Sequence, residues 1–277
     1  MGSMGGELPV AAFEVTPAGL LLRGRHASLA ASSGLLPPGA YTTLRTYGGR
    51  RVVRLLQHLR RLEESSALQG QPGRIDPGAA RHALAAVLDA TAHEESRLRL
   101  TFAPPRLFVA AEPFSPLPAR LYEEGVSCVT LDVRRENPHA KDTRFIAAAQ
   151  SAYARLPRGV EEGLLVGDDG TILEGLSSNF FAVREGRLWT EEERALMGVT
   201  RSLVLEVAGT LMPVERRGIR REELPRVDEA FLTSVSREIL PVTGVDGRPV
   251  GEGRVGPRTR ALRDGFAGLL GREAETL

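Results

Sequence analysis

Apolar and polar residues alternate over 13–22 around the turn Pro17-Ala18-Gly19, which predicts a β-hairpin. Residues 39–47 predict another strand, closed by the Gly48-Gly49 turn and followed by a short strand over 51–55. Over 56–68 the period changes. Leu56, Leu59 and Leu62 recur at helical spacing with charged residues between them. Pro77 suits the first turn of a second helix over 78–92. Residues 98–102 and 107–111 predict a strand pair turned at Pro104-Pro105. Three prolines fall within 113–120, the signature of a linker. Beyond it the pattern predicts strands over 127–133, 162–166, 172–173, 179–183 and 229–233, and helices over 145–155, 201–209 and 256–270. Strands and helices mixed in this way predict an α+β protein. Its expected parts are a small N-terminal domain over 1–112, a linker over 113–121 and a larger domain over 122–277.

Charge narrows the function classes. The chain of 277 residues carries 36 Lys and Arg against 35 Asp and Glu, and no basic tract exceeds a few residues. Neither nucleic acid nor an anionic membrane surface is an expected partner. The apolar runs, such as 19–22 and 145–149, are too short to span a bilayer. Residues 1–6 lack a basic region followed by an apolar run, so no signal peptide is expected. One cysteine, Cys128, allows no internal disulfide or cysteine metal cluster and fits a reducing cytoplasm.

One count changes the picture. Of the 36 basic residues only Lys141 is lysine; the other 35 are arginine. Arginine serves wherever a solvated cation is enough. It cannot replace an amine that must become neutral to attack a carbonyl. A lone lysine can also survive by chance, so its surroundings decide. Lys141 lies in Asn137-Pro-His-Ala-Lys141-Asp-Thr-Arg, between a predicted strand and a predicted helix. Downstream are Glu174-Gly-Leu-Ser-Ser-Asn179, just before a strand, and Gly198-Val-Thr-Arg201, opening a helix whose exposed N–H groups suit a phosphate. The hydroxyl-rich segment Thr233-Ser-Val-Ser-Arg-Glu-Ile-Leu-Pro-Val242 follows.

In this order, these motifs resemble the fold-type IV pyridoxal-phosphate enzymes, the class IV aminotransferases. That group includes branched-chain and D-amino acid aminotransferases, R-selective amine transaminases and aminodeoxychorismate lyases. Upstream, His58-Leu-Arg-Arg61-Leu62-Glu-Glu-Ser65 is similar to the family's His-x-x-Arg-Leu-x-x-Ser helix. The stretch from Val245-Asp-Gly to Val-Gly-Pro257 looks like the branched-chain members. The resemblance covers roughly 39–270. It implies two domains with pyridoxal 5'-phosphate between them, usually in a homodimer. Lys141 would hold the cofactor as a Schiff base and shuttle a proton. Glu174 would keep the pyridine nitrogen protonated. Arg61, rather than its neighbour Arg60, would grip the phosphate, joined by the Val199 and Thr200 N–H groups and the Thr200 hydroxyl. Tyr41 would line the pocket.

Several positions depart from the family. Ile146 stands where branched-chain enzymes have a tyrosine, and Leu36 replaces another. Val235 takes the place of a phosphate-binding threonine, with Ser236 beside it expected to contribute instead. The carboxylate-binding arginine of D-amino acid enzymes is absent from Leu100-Thr101-Phe102-Ala103. Arg99 aligns with the arginine that holds the α-carboxylate in branched-chain enzymes, and reads equally as a solvated strand residue. The expected activity is amino transfer from a branched-chain or other hydrophobic L-amino acid to a 2-oxo acid such as 2-oxoglutarate. The alternatives are 4-amino-4-deoxychorismate lyase, a D-amino acid or R-amine transaminase, and a non-catalytic relative on the same scaffold.

Overall fold

The computed structural model describes residues 8–133 and 135–277, so the expectation for residues 1–6 lies outside the described residues. The chain forms two compact units. Among the described residues, one comprises 8–115, 140–147 and 274–277, the other 116–133, 135–139 and 148–273.

In the first unit, β1 (Val10–Thr16) and β2 (Gly19–His26) form the predicted hairpin, and α1 (Leu29–Leu35) follows. Next come β3 (Ala40–Arg45), β4 (Arg51–Val53), α2 (Leu55–Leu68), α3 (Pro77–Thr91), β5 (Ser96–Ala103) and β6 (Arg106–Pro113). The sheet is antiparallel in the order β2-β1-β6-β5-β3. The terminal strand Ala274–Thr276 returns to pair with β4. Period-two burial puts Ala40, Thr42 and Leu44 of β3 inward, while Leu98, Leu100 and Phe102 of β5 share the core with α2 and α3. Val10, Ala12, Leu29 and Ala110 form a smaller cluster that includes α1. The start of α3 follows capping chemistry: the Asp76 side chain accepts from Ala79 N–H at 2.6 Å, with Pro77 at the first helical position.

Two expectations need correcting here. The core leucines of α2 are Leu55, Leu59 and Leu62, whereas Leu56 is 47% exposed. Leu55, Leu59 and Leu62 stand at i, i+4 and i+7 on one face, and Leu56 falls about 100° round from Leu55. Helix α1 went unpredicted because its sequence, LAASSGL, carries only two large apolar residues.

The second unit contains α4 (Ala119–Glu124), β7 (Val126–Leu131), α5 (Arg144–Tyr153) from residue 148 on, β8 (Val160–Val166), β9 (Ile172–Gly175), β10 (Asn179–Arg184) and β11 (Arg187–Trp189). It continues with α6 (Val199–Leu211), β12 (Val214–Glu215), β13 (Glu229–Ser234), β14 (Glu238–Val245), β15 (Arg248–Pro249) and α7 (Pro257–Glu273). One mixed sheet runs β12-β11-β10-β13-β14-β7-β8-β9, with β15 paired to β14. One face buries Cys128, Leu164, Phe180, Ala182, Leu232 and Leu240. On the other, Phe181 stacks on Phe231 with ring centroids 4.9 Å apart. Strand β14 was missed because Pro241 and Gly244 weaken the strand signal. Pro241 nonetheless sits in register opposite Phe231. The α+β expectation holds. Among the described residues no helix is long and apolar enough to cross a membrane, and no cluster of His, Cys, Asp or Glu suits a metal ion.

Candidate functional site

In the first unit, one group of candidate residues lies on β3 and α2. The segment carrying Lys141 lies against β3. Tyr41 N–H donates to the Lys141 carbonyl at 2.8 Å, and Thr143 N–H donates to the Gly39 carbonyl at 3.0 Å. Gly39 has to be glycine, because a Cβ there would lie 2.3 Å from the Phe102 carbonyl oxygen. Helix α2 holds the same segment from another side, since Lys141 N–H donates to Ser65 Oγ at 3.1 Å.

The spacing His58, Arg61, Leu62, Ser65 is that of one helix face, and each residue has a task. Leu62 is in the core, and Ser65 bonds the lysine segment. Arg61 Nη2 donates to Thr42 Oγ1 at 2.6 Å, and Thr42 Oγ1 lies 2.7 Å from His58 Nδ1. Burial and the nearby cations Arg61 and Lys141 hold the His58 pKa well below the ordinary imidazole value. Arg60 is exposed, whereas Arg61 is half-buried.

Lys141 Nζ lies 4.7 Å from the centroid of the Tyr41 ring, and the Arg99 guanidinium carbon lies 4.9 Å from the same centroid. Arg99 donates to the Leu29 carbonyl at 3.0 Å and to Ser33 Oγ at 2.9 Å. Burial lowers its pKa from the ordinary guanidinium value. Among the described residues no carboxylate stands within ion-pair distance of Arg99; of the acids in the same sheet, Glu112 is paired with Arg97 and Glu14 with Arg106. Arg99 is therefore not the solvated strand residue that one reading of the sequence allowed.

In the second unit, a separate group of candidate residues surrounds Glu174 at the end of β9, where the side chain is 2% exposed. Its carboxylate accepts from Arg135 Nη1 at 2.8 Å and from Leu196 N–H at 3.0 Å. Asn179 Nδ2 donates to the Leu196 carbonyl at 2.7 Å. The Leu196 residue is thus held through both backbone polar groups by Glu174 and Asn179, the two ends of one motif. Two residues on, Gly198 is the N-cap of α6 and supplies no side-chain cap. A Cβ at 198 would approach Asn179 Oδ1 to 2.3 Å. Val199 and Thr200 open the helix, where backbone N–H groups lack intrahelical acceptors. Arg201 is 1% exposed and donates to the Glu191 carbonyl at 3.0 Å, fastening the segment before the helix.

Val235 and Ser236 occupy the β13–β14 turn and are half-buried. Ser234 Oγ accepts from Arg237 N–H at 3.2 Å, and the Arg237 side chain bonds Ser177 Oγ at 2.9 Å. Ile146 is half-buried in the first turn of α5.

Of the residues singled out in the sequence, Lys141, Arg61, Tyr41 and Arg99 come together in the first unit. Glu174, Val199 and Thr200 share a neighbourhood in the second, through Leu196. Sequence reasoning missed Thr42, Arg135 and Leu196. Thr42 left one signal, a hydroxyl on the core-facing side of a strand. Arg135, in an irregular segment, left none.

The class IV amino-transferase profile matches residues 39–245. The branched-chain-amino-acid aminotransferase of Escherichia coli (strain K12) is 33% identical over 179 residues, covering 61% of this chain and 58% of that protein. The chain therefore matches little more than half the length of such curated relatives. A branched-chain aminotransferase structure from the archaeon Thermoproteus uzoniensis, with norvaline, superposes with a TM-score of 0.79 at 26% identity, covering 98% of this chain and 99% of that one. An E. coli branched-chain aminotransferase structure gives a TM-score of 0.79 at 25% identity, covering 96% of both chains. With three quarters of its length under the family profile and the fold matched end to end, the chain belongs to the class IV amino-transferases.

Proposed function

We propose that this chain is a pyridoxal-phosphate-dependent aminotransferase that moves an amino group from a branched-chain or other hydrophobic L-amino acid to a 2-oxo acid such as 2-oxoglutarate. The observation that carries the reading is Tyr41. One ring stands beside both the sole lysine amine and a half-buried guanidinium that, among the described residues, has no carboxylate at ion-pair distance. An amino acid offers the matching pair of groups, an amine or carbonyl to react and a carboxylate to bind.

The donor set fits the cofactor group by group. A lysine suits its aldehyde. In the first unit Arg61 would suit its phosphate, and in the second unit the N–H groups of Val199 and Thr200 would. A buried carboxylate already oriented by Arg135 and Leu196 suits a protonated pyridine nitrogen. Bound, the cofactor supplies an electron sink for negative charge at the substrate Cα. Lys141 Nζ anchors the cofactor and then carries a proton to and from the substrate Cα. Arg99 takes the α-carboxylate in a charge-assisted pair. Tyr41 presents an aromatic wall to the substrate, and Val235 and Ser236 offer turn N–H groups and a hydroxyl to an anion.

The test is direct. Purified protein mixed with pyridoxal phosphate should gain the visible band of lysine-bound cofactor. L-Leucine with 2-oxoglutarate should then yield glutamate. The aminotransferase reading fails if no amino acid of a broad L and D panel is converted. Pyruvate released from aminodeoxychorismate would make the chain a lyase.

The reading carries a homodimer with it. Leu21 and Leu22 of β2 and Leu35 of α1 are 48%, 52% and 75% exposed, apolar surface that a second copy would cover. Light scattering should give twice the chain mass; a monomer at micromolar concentration would refute this. A cytoplasmic setting is part of the same proposal, since the single cysteine, Cys128, allows no internal disulfide.

A further inference from the structure

We infer that Thr42 is a positioning residue for cofactor binding: its hydroxyl, fixed by His58, sets the guanidinium of Arg61 in place to take the phosphate. The inference rests on the proposed role of Arg61. It concerns a residue that touches neither substrate nor cofactor in that reading.

Thr42 lies on the core-facing side of β3, between Ala40 and Leu44, and is 0% exposed. A hydroxyl there is costly unless it is bonded, so valine would be the ordinary choice for this position. Thr42 Oγ1 is bonded twice, to Arg61 Nη2 at 2.6 Å and to His58 Nδ1 at 2.7 Å. The direction of the chain follows from the donors available. A guanidinium can only donate, so Thr42 Oγ1 accepts from Arg61. The single hydroxyl proton then goes to His58, whose Nδ1 has to be the unprotonated, accepting nitrogen. Neutral His58 meets that condition and avoids a third positive charge beside Arg61 and Lys141.

Each end of the relay is anchored by α2 and its middle by β3. The arrangement orients a flexible arginine before any ligand arrives, which lowers the entropy lost on binding. A valine would keep the volume and the β-branch but would end the relay. Arg61 would then lose the bond to Thr42 that helps fix its guanidinium.

The experiment is a titration of apoprotein with pyridoxal phosphate, followed by its visible absorbance. It compares wild type, Thr42→Val, Thr42→Ser, Arg61→Ala and the double variant Thr42→Val with Arg61→Ala. A hydrogen bond to a charged group implies roughly tenfold to hundredfold weaker binding in Thr42→Val. Thr42→Ser should restore most of the affinity. In the Arg61→Ala background, Thr42→Val should cost little more, because the group it positions is already gone. Wild-type affinity in Thr42→Val overturns the inference. So do equal losses in the serine and valine variants, or losses that add in the double variant, since those mark a merely structural threonine. Should Thr42→Val not fold, Thr42→Ala takes its place in the cycle. A wild-type protein that binds no pyridoxal phosphate refutes the functional reading itself, and that outcome is seen in the first titration.

Discussion

Lys141→Ala should lose amino transfer by at least about a thousandfold and should show no visible band after incubation with pyridoxal phosphate. Two features of the chain make this outcome sharp. First, there is no other lysine, so no neighbouring amine can substitute for the missing one. Second, the segment is held through its backbone. Tyr41 N–H bonds the residue 141 carbonyl and Ser65 Oγ accepts the residue 141 N–H, and both bonds survive in alanine. The loss is thus chemical and not a loss of fold, which an unchanged melting curve would confirm. Borohydride reduction of the wild-type holoprotein should fix the cofactor on one peptide, the one containing Lys141. Activity of the alanine variant within tenfold of wild type would sink the assignment.

Glu174→Gln is the second large effect, and it should be felt twice. The carboxylate is almost wholly buried and faces Arg135 at 2.8 Å, with 11% of the arginine side chain exposed. Glutamine keeps the shape and can still accept from Leu196 N–H, but it leaves a buried guanidinium without its counter-charge. Breaking a buried pair from one side costs about 3–5 kcal/mol, so the melting temperature should fall clearly. Under the proposed function, the charge opposite the pyridine nitrogen also disappears. A fall in kcat of about a hundredfold to a thousandfold is the scale expected for a preorganised electrostatic contact. Equal kcat in Glu174→Gln and wild type would show that this carboxylate serves stability alone.

Much of this architecture is legible in the sequence because local rules and tertiary context agree there. The β1–β2 hairpin, α2, α3 and the β5–β6 pair appear close to their predicted positions. Their turn residues and hydrophobic periods point the same way. Disagreement marks the misses. Strand β14 carries a proline and a glycine that its place inside a large sheet overrides, and α1 has too few apolar residues to show a period. The site divides in the same way. Motif spacing brought Lys141, Arg61, Glu174 and Thr200 into view. It could not reveal Arg135, whose importance comes from a contact with Glu174, 39 residues away in sequence. Arg99 is the intermediate case. Alternation fixed its face of the strand, but only packing against Leu29, Ser33 and Tyr41 separates a buried cation from a solvated one.

The clamp on Leu196 limits how this region can change over evolutionary time. Glu174 and Asn179 grip one residue, and the helix start that follows at Gly198 touches Asn179 in turn. An acid suited to one end of a ligand and a helix terminus suited to the other are therefore joined by a tether of fixed length. An inserted or deleted residue between 196 and 199 would have no slack to absorb it and would shift one anchor against the other. Divergence here has to proceed by exchange of side chains at constant length.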